Sequence, residues 1–173
     1  MEENNDLHKK LGGGMTMAAW IILLGLLTLY FSDFLKKQEN PNTEVMTRSQ
    51  SGVEEVILKQ NRQGHYVATG RINGRQVDFM LDTGATMVSI PEHIARSLQL
   101  ERGSVMEVVT ANGTVPVYAT RLDEVTLGNI SLHDVRASIN PYMDDDFILL
   151  GMSFLKQLEF TQRNDELILR QRR

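Results

Sequence analysis

Apolar residues are distributed along this chain in two regimes. Residues 15–31 form a run of 17 without a charge, and the charge-free stretch extends over 22 residues, from 11 to 32. As a helix that stretch would be roughly 30 Å long, about one hydrocarbon thickness of a bilayer. Trp20 lies inside the run, and Tyr30 and Phe31 close it, where interfacial aromatics belong. A core helix would show a polar stripe, and this run is apolar nearly all round. A cleavable signal would be followed by small residues, whereas Ser32-Asp33-Phe34-Leu35-Lys36-Lys37 follows here. The pattern therefore predicts an uncleaved membrane-spanning helix over 15–31, after a polar tail over 1–14.

From residue 53 onward the apolar positions come in short runs separated by turn signals. Strands are predicted over 53–59, 65–72, 76–81, 87–90, 105–110, 114–120, 121–127, 133–139 and 147–150, with a closing hairpin over 158–161 and 166–170. Asn73-Gly74 and Asn112-Gly113 mark tight hairpin turns, because both central residues of such a turn need positive φ. Pro91 opens a short helix over 92–98, and residues 154–158 form one or two helical turns. The segment 147–150 is fully apolar, as expected of a strand buried on both faces. The segment 32–51 is polar, contains Pro41 and shows no sustained periodicity, so it is expected to be a flexible linker. The organisation predicted is thus tail, span, linker, and an all-β domain with one or two short helices over 52–173.

Composition narrows the chemistry. The net charge is −4 with the signs interspersed, so no basic face for nucleic acid is expected. The chain has no cysteine, which removes disulfides, thiolate metal sites and cysteine nucleophiles together. His65, His93 and His133 lack the spacing of a metal site, and Asp144-Asp145-Asp146 lacks a calcium-loop pattern and is expected to be a solvated loop. Ser89 and Ser153 have no base near them in sequence. Neither a metal nor an organic cofactor is expected.

One segment is unusual for a strand. In Phe79-Met80-Leu81-Asp82-Thr83-Gly84-Ala85 an acid ends an apolar run, a Thr and a Gly follow, and an apolar strand then resumes. Burying a carboxylate is costly unless it is paired or protonated. Gly84 permits a tight loop, and Thr83 offers a hydroxyl to lock it. A second element, Leu149-Leu150-Gly151-Met152-Ser153-Phe154-Leu155, is an apolar strand broken by Gly before a short helix. Between the two lies Thr110-Ala111-Asn112-Gly113.

Taken together, these motifs resemble the retropepsin-like aspartic peptidases, and more narrowly their bacterial membrane-anchored members, over residues 53–170 and the anchor. The resemblance implies that Asp82 is catalytic and that Thr83, Gly84 and Ala85 support the active-site loop. It implies that Leu150 and Gly151 form the second signature beside that loop, and that residues 106–118, with Asn112 and Gly113 at the turn, form a flap over the substrate. This class uses two facing aspartates that share a proton, one acting as general base on water and the other as general acid on the scissile carbonyl. A chain with one Asp-Thr-Gly supplies half of that pair, so a C2 homodimer is implied, with Asp82 from each subunit at the axis. The partners expected are a peptide or protein substrate, a second copy of the chain, and a membrane.

By the same resemblance the chain is placed in the bacterial inner membrane with its β domain in the periplasm. Charge does not choose that side, since Lys9 and Lys10 flank the span at one end and Lys36, Lys37 and Arg48 at the other. The alternative function is a non-catalytic module of the same fold, tethered to the membrane for binding or assembly.

Overall fold

The computed structural model describes residues 2–110 and 113–172 and divides into two units, 1–38 and 39–173. The first is a single helix, α1 (Glu2–Glu39), which takes in the polar tail as well as the apolar run. Its segment Met17–Glu39 is long and apolar enough to cross a bilayer. Trp20, Ile22, Leu24, Leu29 and Tyr30 are all exposed on it. An apolar helix surface of this kind suits hydrocarbon better than water.

The second unit is built on eleven strands. One sheet of four has the order β1-β2-β11-β10, from β1 (Met46–Gln50), β2 (Val53–Lys59), β10 (Glu159–Arg163) and β11 (Glu166–Arg172). The larger sheet has the order β3-β4-β9-β5-β8-β7-β6. Its strands are β3 (Val67–Ile72), β4 (Arg75–Leu81), β5 (Val88–Pro91), β6 (Val105–Thr110), β7 (Gly113–Leu127), β8 (Ile130–Asn140) and β9 (Ile148–Leu150). A further pairing of β3 with β7, Ile72 opposite Val125, closes six of the seven strands into a ring and leaves β6 outside it. Gly70 makes this closure possible. A Cβ there would stand 2.4 Å from the Thr126 carbonyl oxygen and 2.7 Å from the Phe79 ring.

Phe79, Val88, Leu122, Val125, Ile139, Ile148, Leu150 and Phe154 fill the ring and its flank and are all fully buried or within 1% of it. The all-β, retropepsin-like fold class expected from the pattern is the one observed. So is the turn at Asn73-Gly74, where φ is 49° and 79°. The strands expected over 114–120 and 121–127 are one continuous strand, β7. Thr120 and Arg121 read as a break because they are polar. Thr120 instead spends its hydroxyl on the carbonyl of Glu101, at 2.8 Å, and Arg121 faces out.

The segment 32–51 differs most from expectation. It is not a featureless linker, for α1 runs on to Glu39, Asn42 bridges to Ala68, and residues 46–50 form β1 against β2. The cause is side-chain amide chemistry, which hydrophobic periodicity does not register. Asn42 is 3% exposed. Its Nδ2 donates to the carbonyls of Lys59 (2.8 Å) and Val67 (2.7 Å), and its Oδ1 accepts from the Lys59 N–H at 2.7 Å. Asn40 Nδ2 reaches Thr69 Oγ1 and Asp78 Oδ1 at 2.9 and 3.0 Å.

Asn42 therefore staples β2 to β3 where no ladder joins them. Asn42→Ala should cost about 2–3 kcal/mol, because it leaves buried peptide groups unpaired. A fragment beginning at Ser51 should melt well below one beginning at Glu39. Thermal denaturation of the two fragments and of the variant checks both points, and equal midpoints would remove the staple from the account.

Candidate active site

The strand β4 delivers Asp82 to the end of an apolar run because Phe79, on that strand, is locked in the core. β9 lies parallel to it, with Phe79, Met80 and Leu81 opposite Ile148, Leu149 and Leu150. On its other side β9 meets β5, where Ser89 faces Leu149. The chain thus leaves β4 at Asp82, loops through Thr83–Met87, and returns as β5 with β9 threaded between.

Hydrogen bonds fix the loop at each step. The Asp82 N–H donates to the Leu150 carbonyl (3.3 Å), the Ala85 N–H to the Asp82 carbonyl (3.3 Å), and the Met152 N–H to the Ala85 carbonyl (2.8 Å). The Gly84 N–H donates to Asp82 Oδ1 at 2.8 Å and so orients the carboxylate itself. A Cβ on Gly84 would stand 3.1 Å from that same oxygen. Gly151 is more tightly confined. A Cβ there would lie 2.3 Å from the Met87 carbonyl oxygen and 2.7 Å from that of Ala85. The loop can cross β9 only where the strand has no side chain.

Asp82 is half-buried and lies on the floor of a cleft of about 610 Å³. The roof is the β6–β7 hairpin, in which Met106 pairs with Val117 and Val108 with Val115. Val117 is fully buried, so this face of the hairpin turns inward. Glu107 also lines the cleft, but it pairs with Pro116 on the opposite face of the hairpin. Asp82 is therefore the carboxylate on the floor, beneath walls of Met87, Met106, Val108 and Leu149.

The residues singled out by sequence fall as follows. Asp82, Gly84 and Ala85 line the cleft, Leu150 and Gly151 lie directly beneath its loop, and Gly113 opens β7 beyond the cleft with φ of 115°. Thr83 is exposed, and its hydroxyl has no hydrogen bond among the described residues. Asn112 lies outside the described residues.

Ser153 has a role that its sequence context does not signal. Its hydroxyl accepts from the Val88 N–H at 2.9 Å and donates to the Arg136 carbonyl at 2.7 Å, tying β5 to β8 beside the loop. Among the wall residues, Met106 and Val108 fall in the segment expected to form the flap and Leu149 in the second signature, whereas nothing in the apolar run 87–90 marks Met87 as a cleft wall.

Comparison with known proteins decides the family. A family model described as gag-polyprotein putative aspartyl protease matches residues 68–157, more than half of the chain and all of the loop, roof and crossing strand described above. The chain belongs to that family. Its fold is that of the retropepsin-like aspartic proteases. The crystal structure of a retropepsin-like aspartic protease from Rickettsia conorii is 28% identical, with a TM-score of 0.59, and the match covers 74% of this chain and 96% of that one.

Two curated relatives are uncharacterized proteins. A Sinorhizobium protein encoded in the cobV 5′ region is 29% identical over 94% of this chain and 76% of its own length. A Rickettsia prowazekii protein is 26% identical over 68% of this chain and 51% of its own length, so the match spans about half of that relative.

Proposed function

We propose that this retropepsin-like protein is a membrane-anchored aspartic endopeptidase whose active form is a homodimer with Asp82 of each subunit at the axis. The observation that carries the reading is a single oriented carboxylate, Asp82, at the floor of an apolar cleft under a β-hairpin. One carboxylate can act as base or as acid, and hydrolysis of a peptide bond by water needs both at once. A second copy of the same loop supplies the missing group, and two like charges a few ångströms apart favour the state that holds one shared proton. Water is then deprotonated by one aspartate as the other donates to the scissile carbonyl.

Within each subunit Gly84 holds the carboxylate in place, Ala85, Leu150 and Gly151 hold the loop, and Thr83 stands exposed beside it. The β6–β7 hairpin closes over an extended peptide and excludes water. The walls suit apolar side chains next to the cut. The helix α1 anchors the enzyme in the bacterial inner membrane with the β domain on the periplasmic side, which places membrane-proximal or exported proteins within reach.

The test is cleavage of a mixed peptide library by the full-length protein in lipid, from acid to neutral pH, with and without a statine-type transition-state mimic. Cleavage that the mimic blocks is the expected result. A folded dimer that cleaves nothing at any pH would turn the assignment to the non-catalytic binding module.

A further inference from the structure

A second groove, of about 860 Å³, adjoins the cleft and shares Met87 and Met106 with it. A peptide lying extended over Asp82 can run from one into the other. The cleft walls are mostly apolar, but this second groove is lined by three arginines, Arg102, Arg121 and Arg136, against two acids, Glu101 and Asp123.

Two of the three are already held. Arg102 lies 4.9 Å over the centre of the Tyr118 ring and pairs with Glu92, and Arg121 pairs with Asp134. Arg136 is different. It stands directly opposite Arg121 in the β7–β8 ladder. Like charges so placed destabilise a strand pair. Among the described residues its exposed guanidinium has neither an ion pair nor a hydrogen bond; only its backbone carbonyl is engaged, by Ser153. Glu101 and Asp123 also line the groove, and neither is paired with Arg136. One cation is thus left open to whatever occupies the groove, next to the residue pair through which the groove joins the cleft.

We infer that Arg136 is a distal specificity residue that favours an acidic side chain in the substrate, a few residues along the peptide from the scissile bond. The inference rests on the reading of the Asp82 cleft as a peptidase site. The preferred substrate then combines apolar residues at the cut with a carboxylate farther out. Because the pair forms at an exposed position, it acts mainly through binding and weakens with salt.

The test uses the full-length protein in lipid nanodiscs and a peptide that it cleaves in an Asp82-dependent way, resynthesised with Glu, Gln or Lys at each position on both sides of the cut. The wild type should favour Glu over Lys at a position outside the apolar centre by about fivefold in kcat/KM, mostly through KM. Arg136→Gln should erase that discrimination, Arg136→Lys should retain much of it, and Arg136→Glu should reverse it. A wild type that does not distinguish Glu from Lys at any position would overturn the inference, as would a preference that survives Arg136→Gln and Arg136→Glu. If no peptide is cleaved in an Asp82-dependent way, the peptidase reading itself falls, and the inference falls with it.

Discussion

Asp82→Asn is expected to lower kcat/KM for peptide hydrolysis by about a thousandfold or more and to leave the β domain folded. The substitution keeps the shape of the side chain and keeps an oxygen for the Gly84 N–H, 2.8 Å away in the parent protein. What it removes is the capacity to take or give a proton. The backbone bonds from Asp82 to Leu150 and from Ala85 to Asp82 do not involve the side chain, so the loop should persist. Peptide kinetics on the variant, beside a thermal melt, separate loss of chemistry from loss of fold. A variant that cleaves at the parent rate would remove Asp82 from the reaction. One that unfolds would make the carboxylate a structural group.

Gly151→Ala should have the opposite signature, a loss of stability that takes activity with it. The added carbon would meet the Met87 and Ala85 carbonyl oxygens at 2.3 and 2.7 Å, and the Met87 carbonyl carbon at 2.7 Å. These are backbone atoms that cannot rotate away. Ala85 is also pinned through its carbonyl by the Met152 N–H at 2.8 Å, and Val88 through its N–H by Ser153 at 2.9 Å. Relief would require β9 to part from the loop, at a cost of about 3 kcal/mol or more. Denaturant unfolding should show the midpoint well below that of the parent with little change in slope. A midpoint within error of the parent would mean that the crossing at Gly151 has slack the packing does not suggest.

The most legible parts of the chain were those where one face or one backbone conformation decides the outcome. Residues 53–59, a short run rich in β-branched residues, carry β2 as read. Asn73-Gly74 turns where positive φ is needed, and the wholly apolar 147–150 run becomes the threaded strand β9. The candidate site was legible because Asp82, Gly84 and Gly151 are each odd in their settings, an acid at a strand end, a glycine in the loop after it and a glycine that breaks an apolar strand.

Two things were hidden. The staple at Asn40 and Asn42 depends on side-chain amides whose partners, Lys59, Val67, Thr69 and Asp78, lie far along the chain, so a polar, aperiodic segment looked like a tether. The groove around Arg136 depends on which arginines find partners. That is set by the β7–β8 register and by the position of Glu92, not by any local pattern.

The central claim is that each active site takes one Asp82 carboxylate from each of two chains, and mixing subunits tests it most directly. Full-length wild-type and Asp82→Asn proteins are exchanged to equilibrium at constant total concentration, and peptide cleavage is measured against the wild-type fraction. The account predicts that activity falls as the square of that fraction, so that an equal mixture retains about a quarter of the wild-type rate. A fall in direct proportion to the wild-type fraction would show that one Asp82 suffices and would contradict the shared dyad.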